Sequence, residues 1–270
     1  MNKLKKILSA AISDIIYHGY DSESRVARWA ERIAEAIALS PQEQITNDSK
    51  IRNYLTAIYD KNVRHNGRIA RNNRGLESYK INAVHDKLQD ELNRRIGATI
   101  ALGKDGQEAV KSATCASFTG WATSVPVGGS KIVDRKKVRR TLEKQALAIK
   151  TKSNRTLIQQ TKKMESNLND IVATHGGAIA GIWHSKWRVP GYNYREDHKE
   201  RDELIYLIRD SWAHVAGLVK PSAAGFSDEI TQPGEEANCG CHYTYIYSLD
   251  KLPNELLTKK GKAANGVVKL

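Results

Sequence analysis

Five of the eight histidines (His175, His184, His198, His214 and His242) and two of the three cysteines (Cys239 and Cys241) fall between residues 175 and 242. Chemistry is therefore sought there first. The densest stretch is EEANCGCHYTYIY, residues 235–247. If it is extended from Cys239 onward, alternate side chains share a face. Cys239 and Cys241 then point the same way as Tyr243, Tyr245 and Tyr247, and His242 points oppositely. Two thiolates on one face make half of a tetrahedral zinc site, which histidines from elsewhere would complete, His198 first and His184 second. Two other readings fit the same residues. The thiols can be small packing groups beneath a tyrosine stripe, or they can form a strained or regulatory disulfide.

The second cluster is YNYREDHKERD, residues 192–202, with Arg195, Asp197, His198, Arg201 and Asp202 within eight positions. His198 backed by Asp197, with arginine nearby, has the makings of a hydrolytic site: a general base beside an oxyanion or phosphate clamp. The same alternation of charge also suits the exposed start of a helix. No P-loop, GxSxG, HExxH, dinucleotide-binding fingerprint or paired CxxC is present, so the well-marked enzyme classes lack support. Trp183, Trp187 and Trp212 lie beside these clusters. With only two Phe in the chain, they are expected to form the core of a small C-terminal module.

Positioning these residues requires elements, and most of the chain reads as helix. Leu4, Leu8, Ile12 and Ile15 share one helical face, closed by Gly19. DSES, residues 21–24, supplies N-cap residues for a second helix with Val26, Trp29, Ile33 and Ile37, ended by Pro41. Further stripes are Ile51, Tyr54, Leu55, Ile58 and Tyr59, then Val84, Leu88, Leu92 and Ile96. Between them KNVRHNGRIARNNRG, residues 61–75, reads as a polar junction and an anion-binding surface. Residues 101–130, rich in Gly, Ser, Thr and Ala and ending PVGGS, read as a break, with the main boundary near residue 130. Cys115 there is a small buried residue.

Residues 134–173 follow as one long basic helix with its weakest point at Thr151–Asn154, stopped by the glycines at 176 and 177. AIAGIWHSKWRVPGY suits a strand entering a turn, and HYTYIYSL is the clearest strand. TKKGKAANGVVKL reads as a mobile tail. The expected fold class is predominantly α with a small α+β C-terminal module. Its parts are a helical region over 1–130, a basic helix over 131–174, the module over 175–252 and a flexible basic tail over 253–270.

The 270 residues carry a net charge of +13, unevenly spread. Residues 131–165 hold twelve Lys or Arg against three acids, whereas 190–250 hold five against eleven. A polyanionic partner is expected for the basic helix, with Arg135, Lys136, Lys137, Arg139, Arg140 and Lys144 as the DNA-contacting residues. Those residues are spread around the helix rather than focused, which disfavours a sequence-specific DNA regulator. Hydrophobic residues are 40% of the chain, enough for a core. The N-terminus begins like a signal peptide, but Ser13, Asp14 and His18 interrupt its apolar stretch. No apolar run reaches the roughly 18–20 residues of a membrane span. A soluble protein made in a cytoplasm is expected, with its cysteines held as thiols or by metal.

The order of motifs resembles the phage head-morphogenesis (Mu F-like) minor head protein family. The residues that carry the resemblance are Asn154, Arg155, Ile158 and Thr161 on a helix; Trp183 on a strand; Arg195 and His198; the turn Pro233-Gly234; and Asn238, Cys239 and Cys241. It covers roughly residues 150–252. The chain departs from the family in having Cys-Gly-Cys for Cys-Arg-Cys, and Lys199-Glu200-Arg201-Asp202 where Asp-Gly commonly follows the histidine.

The resemblance implies a non-enzymatic virion component present in few copies. It would sit at the portal vertex or capsid interior, after a stay in the host cytoplasm, with no membrane in the assembled head. It would bind portal or major capsid protein, could form a homo-oligomer around the portal, and would touch packaged double-stranded DNA non-specifically. Its work would be head assembly, DNA packaging or genome ejection. The alternative is a metal-assisted hydrolase or nuclease centred on Asp197, His198, Cys239 and Cys241, with zinc as the ion.

Overall fold

The structure, a computed structural model, describes residues 2–64, 66–74, 76, 82–221, 223–236 and 238–267. Helices α1 (Asn2–His18), α2 (Glu23–Ile37), α3 (Pro41–Val63), α4 (Arg68–Asn72), α5 (His85–Thr123) and α6 (Arg135–Gly176) precede a small mixed region. That region holds β1 (Ala180–His184), α7 (Glu196–Glu200), β2 (Ile205–Leu207), α8 (Trp212–Val215), β3 (His242–Ile246) and α9 (Lys259–Val267), with three short 3-10 turns. The fold is predominantly α with a small α+β module, as the periodicity predicts.

The chain forms two compact units, residues 1–51 with 98–157, and 52–97 with 158–270. It passes between them within α3, α5 and α6 rather than at a linker near residue 130. The first unit is built on aliphatic burial. Leu8, Ile12 and Ile15 of α1 and Val26, Ile33 and Ile37 of α2 pack with Phe118 and Ala122 of α5 and Leu142 and Ala146 of α6. Ser22 caps α2, its hydroxyl accepting from the Arg25 N–H.

One expectation fails in these helices. Residues 101–123 continue α5 straight through Gly103, Gly106 and Gly120. Val110, Thr114, Phe118 and Ala122 recur every fourth residue and are all buried, and that continuous stripe outweighs roughly 1 kcal/mol of lost propensity per glycine. Helix α6 runs unbroken across Thr151–Asn154, the single long helix that the sequence predicts, even at its weakest point. The glycines do punctuate the chain at 128–129, where the backbone N–H groups of Gly128 and Ser130 return to the carbonyls of His18 and Ile16.

The second unit centres on a three-stranded antiparallel sheet of order β2-β1-β3. Trp183 pairs with Tyr243 and His184 with His242. One face of the sheet buries Trp183, Tyr206, Tyr243 and Tyr245 with Ala173 and both cysteines. The other buries Ala180, Leu207 and Ile246 with Leu249, Leu252, Leu256 and Leu257.

The basic C-terminal segment is not a flexible tail over its described length. Thr258 Oγ accepts from the Gly261 N–H and donates to the Gly217 carbonyl, capping α9 and tying it to the module. A Cβ at Gly261 would stand 2.0 Å from the Leu218 carbonyl oxygen, so this approach is open to glycine alone. Residues 268–270 lie outside the described residues.

The polar junction over 61–75 differs from expectation in part. Arg68 pairs with Glu165 at 3.1 Å, and Asn62, Asn72 and Asn73 are buried, so part of its polar side turns inward, while Lys61, Arg64, Arg71 and Arg74 remain exposed. His65 and Gly75 of that run lie outside the described residues.

Candidate metal centre and its surroundings

Two segments of the second unit converge beside Trp183. The short helix α7 presents His198, and the turn before β3 presents Cys239 and Cys241. All three side chains are buried, and one donor atom from each lies within 4.8 Å of the others. His198 Nδ1 stands 3.6 Å from Cys239 Sγ and 3.5 Å from Cys241 Sγ. Trp183, fully buried on β1, meets the His198 ring edge-on at 5.3 Å and fixes its plane from below.

Local sequence chemistry places each group. Gly234 follows Pro233 with φ +79, a left-handed turn that favours glycine, and its N–H donates to Cys239 Sγ at 3.3 Å. The Pro233 carbonyl accepts from the Ser166 hydroxyl of α6. Asn238 also adopts a left-handed conformation, φ 62, which short polar side chains tolerate best. The Tyr192 hydroxyl spans that turn, donating to the Asn238 carbonyl at 2.8 Å and accepting from the Gly240 N–H at 2.7 Å. The two thiols titrate as a pair: the hydrogen bond from Cys241 holds Cys239 below the ordinary thiol range, and the same contact raises Cys241.

Around this cluster lies a shell of paired charges. Glu236 Oε2 sits 2.9 Å from His198 Nε2 and 2.8 Å from Arg195. Asp202 accepts from the Ser185 N–H and from Trp187 Nε1, each at 2.8 Å, and pairs with Arg188 at 3.0 Å. Burial opposes its charge, but those donors together hold its carboxyl below the usual range.

The expected residues are only partly brought together. His198, Cys239 and Cys241 meet, and Cys239 and Cys241 share the side of Tyr243 and Tyr245. His184 does not join them; it stacks on His242 at 5.1 Å, where burial, with Arg68 and His184 near, pulls His242 down to about 4. Asp197 backs His198 only at 3.8 Å from Nε2, farther than Glu236. It is half exposed and bound to Arg201 at 2.9 Å. Gly234 was singled out in the sequence as part of the Pro233-Gly234 turn, whereas the roles of Glu236 and Tyr192 were missed; the acidic pair Glu235-Glu236 beside the cysteines was the one available signal.

The proposed DNA contacts lie on α6 in the first unit. Arg135, Lys136, Lys137, Arg140 and Lys144 are exposed, and among the described residues no carboxylate lies within ion-pair distance of them. Arg139 differs: it is half buried, 3.4 Å from Glu143 and 3.4 Å from the Ser9 hydroxyl. At about 100° per residue, Lys136, Lys137, Arg140 and Lys144 fall within one arc of roughly 100°, opposite buried Leu142 and Ala146. They are thus more focused than the composition of the helix suggests. Among the described residues no helix is long and apolar enough to cross a membrane.

No family model, no curated protein and no solved structure matches the chain.

Proposed function

We propose that this chain is a non-enzymatic minor head protein of the phage head-morphogenesis (Mu F-like) type. On this reading it docks on portal or capsid protein and touches packaged DNA without sequence preference. The observation that carries the reading is spatial. The motif residues of the C-terminal module, scattered from 183 to 241, meet around one point. Trp183 packs on His198, Arg195 and His198 share Glu236, and Gly234 donates to Cys239. The Asn238 carbonyl is held by Tyr192. A chance ordering of common residues has no reason to assemble in this way.

The DNA contact rests on the exposed cations of α6, whose neighbouring side chains leave them unneutralised. Neutralised phosphates release counterions, so affinity for duplex DNA should fall steeply with salt. Replacing Lys136, Lys137, Arg140 and Lys144 by Ala should reduce the slope of log affinity against log salt by about 3–4, at 0.9 per lost phosphate contact. Circular dichroism should stay unchanged. The purified chain should also bind portal or mature heads. Failure to associate with either, together with DNA binding no tighter at about 50 mM than at about 500 mM salt, removes the basis of the reading.

A further inference from the structure

The geometry points to a zinc ion held by His198 Nδ1, Cys239 Sγ and Cys241 Sγ, stapling α7 to the turn that leads into β3. This inference does not depend on the head-protein reading. Zinc binds thiolate sulfur at about 2.3 Å and imidazole nitrogen at about 2.0 Å in a tetrahedron, which sets a sulfur-to-nitrogen edge of about 3.5 Å. The observed edges are 3.6 and 3.5 Å. Both thiols are therefore already at ligand spacing from the same nitrogen.

Hydrogen bonding does not account for that arrangement. An imidazole nitrogen offers one N–H or one lone pair, so Nδ1 can satisfy one thiol and leaves the second redundant. A cation at the centre of the three atoms uses all of them. The surroundings fit the same assignment. Metal-bound histidines commonly donate the other ring N–H to a carboxylate, which fixes the ring. Here Glu236 lies 2.9 Å from Nε2 and is itself held by Arg195. The Gly234 N–H points at Cys239 Sγ at 3.3 Å, a donor that stabilises a thiolate there.

The donor set also chooses the ion. Two thiolates and an imidazole suit zinc, whereas magnesium and calcium require oxygen ligands. The fourth position belongs to a water. A cavity of ≈ 10 Å³ is bounded by the three ligands with Tyr192, Asn193 and Arg195, room for about one water molecule. Glu236 does not fill that position, because it is engaged at the far nitrogen of the ring. Binding displaces the protons of both thiols, so uptake of the ion should release protons and weaken at low pH.

The test uses the full chain, purified without chelators, and reads metal directly. Elemental analysis should return one zinc per chain. Exchange into cobalt(II) should give the intense visible bands of a tetrahedral site and a thiolate-to-cobalt charge-transfer band. Cys239→Ser and Cys241→Ser should each abolish stoichiometric zinc. Glu236→Gln should keep the cobalt spectrum while weakening affinity about 10–100-fold, as loss of an orienting carboxylate does. Because the serine variants can fail to fold, His198→Cys serves as the second arm: it should retain the ion and strengthen the charge-transfer band, since a third sulfur is added.

A folded wild-type chain that takes up no zinc when offered it, with both thiols free to thiol reagents, overturns the inference. So does a Cys239–Cys241 disulfide in the chain as isolated, or a Glu236→Gln variant with unchanged affinity in the case of the orienting role.

Discussion

The two units solve the same problem by different physics. In the unit of residues 1–51 and 98–157 the buried groups are almost all aliphatic, with Phe118 the one large ring fully enclosed among the described residues. In the unit of residues 52–97 and 158–270 burial is shared with polar groups. Asn73 Nδ2 donates to Asn169 Oδ1 at 2.7 Å, Asn169 Nδ2 donates to the Tyr243 carbonyl at 3.1 Å, and the Tyr247 hydroxyl donates to Asn73. Arg95 is held by Glu91 at 2.7 Å and by Gln160 at 2.9 Å. Apolar contact is non-directional and tolerates exchange, whereas a buried hydrogen bond has one geometry and is costly to leave half made. The first unit thus leaves the cations of α6 free at its surface. The second spends its polar groups internally, and holds three metal-type donors in register as a result.

The largest effect is expected where the aromatic face of the sheet is broken. Trp183 touches His198, Tyr206 and Tyr243 edge-on at 5.3, 6.4 and 5.5 Å. Trp183→Ala should destabilise the protein by about 4 kcal/mol, the sum of lost transfer energy and an unfilled cavity. Phe118→Leu in the aliphatic unit should cost less than about 1.5 kcal/mol, since neighbouring side chains can repack. Denaturant unfolding measures both. Equal costs would erase the distinction between the two cores.

A sharper version holds volume nearly constant. Asn169→Leu fits the space but strands the buried Tyr243 carbonyl and leaves Asn73 Nδ2 with its bond to the Ile69 carbonyl alone. The expected loss is about 2–3 kcal/mol. Leu8→Met, at an equally enclosed site of the first unit, should stay under about 1 kcal/mol. If Asn169→Leu proves neutral, the polar network is not what specifies the second unit.

The same difference governs what could be read without coordinates. Helices α1 and α2 and strand β3 were legible because their signals are local: a period of three to four, a serine cap, an alternation of tyrosines. The pairing of Cys239 with Cys241 on one side followed from that alternation. Helix α5 was not legible across its glycines, because the burial of Val110, Thr114, Phe118 and Ala122 that sustains it depends on distant partners. Helix α9 was missed for the same reason, its anchor being the Leu218 backbone. In the site, Glu236 reaches His198 through a turn with Asn238 left-handed, a conformation that no spacing rule announces. The bond between Asn73 and Asn169 joins residues 96 apart and leaves no trace in either neighbourhood.

The finest comparison sets one carboxylate of each unit against the other, since both accept an indole N–H. Asp14 Oδ2 accepts from Trp29 Nε1 at 2.8 Å, its side chain 28% exposed. Asp202 accepts from Trp187 Nε1 at the same distance, but also from the Ser185 N–H, with Arg188 beside it and only 7% exposure. Asp202→Asn should therefore cost about 1–2 kcal/mol at pH 7 and Asp14→Asn less than about 0.5 kcal/mol. The sign with pH follows from the lowered carboxyl of Asp202. A carboxylate whose pKa lies lower when folded than when unfolded contributes its stability in full above the unfolded value, near 3.8, and loses it as pH falls through the folded one. The gap between wild type and Asp202→Asn should accordingly be constant from pH 7 down to about 5 and narrow below about 4. A gap that persists undiminished at pH 2 would mean that Asp202 works through shape and neutral hydrogen bonds alone, leaving charge with no part in how α7 is tied to β1.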